Sequence, residues 1–112
     1  MKNELKNIRL PLGKTVMTRG IAQLAEYEGD ALDQLAKAFS RHAYGDWGDV
    51  CDEDWELNNE AAQGTGENAG RVLSSYTFKL SNPDEGQDRE VKFWVITEWD
   101  RAVSTALLPS EY

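Results

Sequence analysis

Nine consecutive residues, Arg41-His42-Ala43-Tyr44-Gly45-Asp46-Trp47-Gly48-Asp49, hold the chain's only histidine, an adjacent guanidinium, two glycines, two carboxylates and an indole. An imidazole titrates near neutrality and can exchange protons, and a neighbouring arginine can hold a phosphate. With Arg101 and Thr105 from later in the chain, Arg41 and His42 compose the set that a small metal-independent ribonuclease would need. His42 would exchange a proton with the ribose 2′-hydroxyl or the leaving oxygen, and the two arginines would stabilise the phosphate. That chemistry requires the four side chains to converge. The plainer reading is that His42 lies in the last turn of its own helix, where free carbonyls and the helix dipole favour a protonated ring.

The same region opens a long anionic stretch. The chain has 12 Lys and Arg against 20 Asp and Glu, a net charge of -8. From Asp46 to Gly70 there are eight acidic residues and no Lys or Arg, whereas Lys2 to Arg19 is mildly basic. A field of that sign repels phosphate backbones, which argues against direct DNA binding, and it suits a basic partner surface. The candidate partner-binding residues are Asp46, Trp47, Asp49, Asp52, Glu53, Asp54, Glu56 and Glu60. A solvated helix face that aids solubility explains the same charges. Trp47, between two glycines, is either a core plug that anchors the loop or an exposed aromatic hot spot. Asp46, Asp49, Asp52 and Asp54 lack the alternating ligands and central glycine of a calcium loop, so no metal site is expected. One cysteine and one histidine are too few for a zinc site, and Cys51 lies among acids that disfavour a reactive thiolate. Gly64, Gly66 and Gly70 precede a strand rather than a helix, so no phosphate-binding loop and no cofactor are expected.

The elements that must position these residues follow from periodicity. Ile8, Leu10 and Leu12 alternate and suggest a short strand ending at Gly13. Thr18 is placed to cap a helix carrying Ile21, Leu24 and Ala25, stopped by Gly29. Asp30 is placed to cap a second helix with Leu32, Leu35, Ala36, Phe39 and Ala43 at helical spacing, ended by Gly45. Asp49 or Asp52 would cap a third, from Glu53 to Gln63, carrying Trp55 and Leu57 on a weak apolar stripe. Residues 64 to 70 read as a flexible connection. The pattern then becomes that of strands. Val72, Tyr76, Phe78 and Leu80 alternate with polar residues; a polar turn spans Ser81 to Gly86; two further strands cover Val91 to Thr97 and Val103 to Leu108. Glu98 to Arg101 forms the last tight turn, which an Asp-Arg or Glu-Arg pair would stiffen.

The expectation is an α+β domain: two or three N-terminal helices packed on a C-terminal three- to four-stranded antiparallel meander sheet. Residues 1–12 would be a loosely ordered extension and residues 13–112 a single domain. No window approaches the roughly 20 apolar residues of a membrane span, and no signal peptide is seen, so the chain reads as cytoplasmic. The last strand, from Val103 to Leu108, is a candidate pairing edge for a homodimer.

At Arg41-His42, Gly45-Asp46-Trp47-Gly48-Asp49, Arg71 to Tyr76, Trp94 to Glu98, Asp100-Arg101 and Leu107-Leu108-Pro109, the chain resembles a family of small plasmid, phage and island proteins. These are often labelled plasmid-related proteins or type I restriction subunit M. The resemblance spans roughly Gly13 to Tyr112 and implies a mobile-element protein in a bacterial host. It does not imply methyltransferase activity, for which the chain is too short. Residues 81 to 89 make a longer hairpin than that family's pattern. A fainter, topological resemblance is to the ribonuclease fold of barnase, colicin-type and RelE-type toxins. It would place Arg41, His42 and Thr105 at matching positions. The leading expectation is a non-enzymatic inhibitor of a host nucleic-acid-handling or defence complex, either a protein or a ribonucleoprotein. The ribonuclease is its alternative.

Overall fold

The computed structural model describes residues 8–27, 29–64, 70–82 and 87–112. In chain order the elements are β1 (Lys14–Met17), α1 (Arg19–Tyr27), α2 (Ala31–Ala43), α3 (Asp52–Gln63), β2 (Val72–Asn82), β3 (Gln87–Thr97) and β4 (Val103–Leu107). A 3-10 turn, Pro109–Glu111, follows. Three helices and a four-stranded sheet make the chain α+β. Residues 1–7, 28, 65–69 and 83–86 lie outside the described residues. They include most of the extension, the connection after α3 and the tip of the long hairpin.

The strand pattern after Arg71 has a simple cause. Val72, Ser74, Tyr76, Phe78 and Leu80 are all buried, as are Phe93, Val95 and Thr97 across the ladder. Alternate residues of a strand share a face, so one face of the β2–β3 hairpin is committed to the interior. Tyr76 stands opposite Phe93 in the register. Phe78 stacks on Phe93 with centroids 3.9 Å apart. Against this face α1 and α2 lay Ile21, Ala31, Leu35 and Ala38, completing the first core cluster.

The strand order is β1-β4-β3-β2. The sheet is mixed, which corrects the all-antiparallel expectation: β1 runs parallel to β4. Three helices and a hairpin separate these two strands, a crossover long enough to bring β4 back in the same direction. β4 therefore has neighbours on both sides, and the homodimer edge proposed for Val103 to Leu108 is already occupied.

The first strand also lies later than its apolar alternation suggests. Ile8 and Leu10 are 3% exposed and pack with Trp47, Val50, Trp55 and Val72 in a second core cluster. Leu10 donates its N–H to the Ala43 carbonyl at 2.8 Å. Ile8 and Leu10 are thus core residues packed beside α2 and α3, so the end of the expected loose extension is part of the fold. Gly13 then turns into β1 with φ +64°, where a Cβ would lie 2.4 Å from the Arg101 and Ala102 carbonyl oxygens. Only glycine permits that approach.

The helix caps differ from expectation as well. The Thr18 hydroxyl donates to Glu111 at 2.5 Å, and the Glu111 carboxylate also takes the Gly20 N–H at 3.0 Å. The first turn of α1 is therefore satisfied by the far end of the chain. Those bonds, Thr18 first and then Leu108 and Gly20, hold the Glu111 carboxyl below its usual value. Asp30 precedes α2 without a side-chain cap, and the Cys51 sulfur, rather than Asp49 or Asp52, accepts from the Asp54 N–H at the start of α3. Among the described residues no helix is long and apolar enough to cross a membrane.

Candidate interaction surface

His42 is fully buried. Ala31, Leu35, Ala38 and His42 form the buried stripe of α2, while Leu32 stays 54% exposed. The helix is thus rotated from the Leu32-Leu35-Ala36-Phe39-Ala43 face expected from sequence. The rotation carries the imidazole onto the sheet. Nδ1 lies 2.5 Å from the Ser74 hydroxyl, and Nε2 lies 2.8 Å from the Thr97 hydroxyl. Thr97 in turn is 2.6 Å from Ser104, which donates to the Leu12 carbonyl at 2.8 Å.

A carbonyl can only accept, so it orients the whole chain of bonds. Ser104 spends its proton on Leu12, so Thr97 must donate to Ser104, and His42 Nε2–H must donate to Thr97. Nδ1 is then the acceptor, filled by Ser74. The ring is neutral, and burial pushes its pKa down to about 3, with the Arg101 charge adding to the shift. This corrects the protonated, helix-capping histidine.

Of the ribonuclease set, Arg101 is near enough for its charge to act on the imidazole, but the ring is enclosed and its nitrogens are taken by hydroxyls of the fold. Ser104 shares the buried face with His42, and Thr105, its neighbour on β4, points to the opposite face of the sheet. Arg101, with φ 59°, donates to the carbonyls of Ala61 (2.7 Å), Gly70 (2.6 Å) and Glu98 (3.1 Å). It ties the C-terminus of α3 to the start of β2 and to the last hairpin. The turn is stiffened by these backbone bonds, and by Asp100 accepting the Ala102 N–H, rather than by an acid-arginine pair. Arg41 is held by Asp46, Nε to Oδ2 at 2.7 Å, and lies over the Tyr76 ring.

The dense segment from Arg41 to Asp49 is a corner that closes the edge of the sheet. The Asp46 backbone carbonyl accepts the Tyr76 hydroxyl at 2.7 Å, and an Asp46 carboxylate oxygen accepts the Gly48 N–H. Gly48, at φ +74°, runs beside β2 so closely that a Cβ would sit 2.0 Å from the Ser75 carbonyl. Ser75 N–H then donates to the Trp47 carbonyl at 3.1 Å, and Asp49 N–H to the Ser75 carbonyl at 2.8 Å. Trp47 is fully buried, its Nε1–H donating to Asn59 at 2.9 Å and its ring meeting His42 edge-on. It is the core plug, and so leaves the expected partner-binding set.

Two side-chain amides cover two further positions of that edge. Asn58 donates to the Leu73 carbonyl at 2.8 Å and accepts its N–H at 3.3 Å. Gln34 does the same at Lys79, with both bonds between 2.8 and 2.9 Å. An amide presents a donor and an acceptor side by side, as a neighbouring strand does, and so blocks pairing with another chain. Neither amide stood out in the sequence. A polar residue on a weakly apolar helix looks solvated until its partner strand is known.

These contacts define what α3 presents. Trp55, Asn58 and Asn59 face inward, and Asp52, Glu53, Asp54, Glu56 and Glu60 are exposed, with Leu57 among them at 56%. Asp49 is also exposed. Among the described residues the one ion pair is Arg41 with Asp46, so the α3 carboxylates have no cationic partner. Asp46, bound to Arg41 and to Gly48, belongs to the corner rather than to this face.

No protein-family model, curated protein or solved structure matches the chain.

Proposed function

We propose that this chain acts by protein-protein interaction, docking the exposed face of α3 on a basic surface. The observation that carries the reading is the orientation of that helix. Its inward side is fixed by Trp55 and two asparagines, and its outward side carries five carboxylates with no neutralising neighbour among the described residues. Glu56 and Glu60, one turn apart, repel each other and weaken the helix by a few tenths of a kcal/mol. A cationic partner relieves that repulsion, and a field of this sign steers such a partner to the site.

The partner proposed is a basic protein or ribonucleoprotein surface that ordinarily contacts nucleic acid, with the α3 carboxylates occupying the place of backbone phosphates. The resemblance to small mobile-element proteins motivates the setting, in which blocking a host defence or nucleic-acid-handling complex is the role. The enclosure of His42, the bonding of Arg41 to Asp46 and of Arg101 to backbone carbonyls, and the opposite-facing Thr105 favour the interaction reading over the ribonuclease alternative.

The test is a tagged pull-down from nuclease-treated bacterial lysate, washed at low and at high salt. Wild type is compared with the triple variant Glu53→Lys, Asp54→Lys, Glu56→Lys. A partner retained at low salt, released at high salt and lost in the variant supports the reading. Equal capture by a variant whose near-ultraviolet circular dichroism is unchanged refutes it.

A further inference from the structure

We propose that the cleft between α3 and the start of β2 is an anchor socket, receiving one aliphatic or aromatic side chain from a lysine- or arginine-rich segment of the partner. The proposal rests on the docking reading and names the feature that would give it specificity. The cleft has a volume of about 310 Å³ and is lined by Asp54, Leu57, Asn58, Arg71 and Leu73. That is near the lower bound of roughly 300 Å³ for small-ligand sites, ample room for an aliphatic or aromatic side chain.

Its construction is layered. Asn58 is buried and Leu73 half-buried, so they form the floor, while Asp54, Leu57 and Arg71 are exposed and form the rim. The floor is rigid, because Asn58 clamps both the N–H and the carbonyl of Leu73. A socket already built loses little entropy when it is filled.

Charge selects the occupant. Leu57 lies one helical turn from Glu53, Asp54 and Glu60, so the apolar surface is bordered by carboxylates on its own helix. Arg71, across the cleft, bonds to the Tyr112 hydroxyl and lies over its ring at 5.3 Å from the centroid. Arg71 thus places one positive charge on the rim, and the three carboxylates of Glu53, Asp54 and Glu60 outnumber it, so the surroundings of the cleft are net acidic. An apolar group carried on an anionic ligand gains no net attraction here. The same group flanked by lysines gains both apolar contact and Coulomb attraction, the arrangement of a central anchor with a charged rim.

The probe is a lysine-rich synthetic peptide with one central leucine, together with the same peptide carrying serine in its place. Each is titrated into the full ¹⁵N-labelled chain at low salt. The leucine peptide should bind about tenfold more tightly, with amide shifts centred on Asp54, Leu57, Asn58 and Leu73. Leu57→Ser, an exposed substitution that leaves the core untouched, should erase the preference for leucine and keep salt-sensitive binding of both peptides. Equal affinity of wild type for the two peptides, or shifts centred elsewhere, overturns the socket and leaves the acidic docking face standing. If neither peptide binds at low salt, the docking reading falls with it.

Discussion

Acidification should destabilise this protein through His42. The imidazole is fully buried and neutral in the fold, with a pKa lowered to about 3 chiefly by burial, whereas in the unfolded chain it returns to about 6.5. Between those values the unfolded state binds more protons than the folded one, so stability rises with pH across that window. The contribution is complete above pH 6.5 and is lost as pH falls toward 3, at about 1.4 kcal/mol per pH unit. From pH 7.5 to 5.0 the loss is about 2 kcal/mol, a large part of the 5–15 kcal/mol typical of a domain. Carboxylates also titrate near pH 5, so the effect is isolated with His42→Gln, which replaces the ring N–H donor with an amide N–H and removes the titration. At pH 7.5 the variant should be less stable than wild type by about 1–3 kcal/mol, because Ser74 and Thr97 lose well-placed partners. The gap should shrink by about 2 kcal/mol at pH 5.0. Urea unfolding followed by tryptophan fluorescence at constant ionic strength measures it. A gap that stays constant between the two pH values would falsify the neutral, enclosed imidazole.

Two substitutions examine the closed edge of β2. Asn58→Ala removes both bonds to Leu73 and should cost about 2–3 kcal/mol in urea unfolding, with Asn58→Asp recovering only the share due to the Leu73 N–H; a loss under about 0.5 kcal/mol for the alanine would mean the amide clamp contributes little. Gly48→Ala forces a Cβ against the Ser75 carbonyl at positive φ. It should destabilise by more than about 2 kcal/mol and weaken hydrogen-exchange protection of the Ser75 and Asp49 amides; unchanged protection would show that the corner does not pair with the strand.

The fold class was legible in the sequence because its two signals are local. The two-residue alternation of Val72, Tyr76, Phe78 and Leu80, and the helical spacing in Ala31 to Ala43, report burial on one side of an element without reference to any other. The acidic run of α3 was legible for the same reason: charge composition needs no partner. The parallel pairing of β1 with β4 was not, since no residue of Lys14 to Met17 records which distant strand lies beside it. The face of α2 was misread because alanines lie on both sides of that helix. Burial of His42 was decided by Ser74 and Thr97, whose hydroxyls satisfy both ring nitrogens from two different strands. The density from Arg41 to Asp49 suggested a reactive centre in one dimension. In three dimensions its glycines, carboxylates and indole are spent on closing a sheet edge and filling a core. A sequence shows which groups a segment offers. Whether each offer is met by solvent, by a distant backbone or by a partner is settled by tertiary contacts, because hydrogen-bond satisfaction depends on what stands within 3 Å and not on what stands next in the chain.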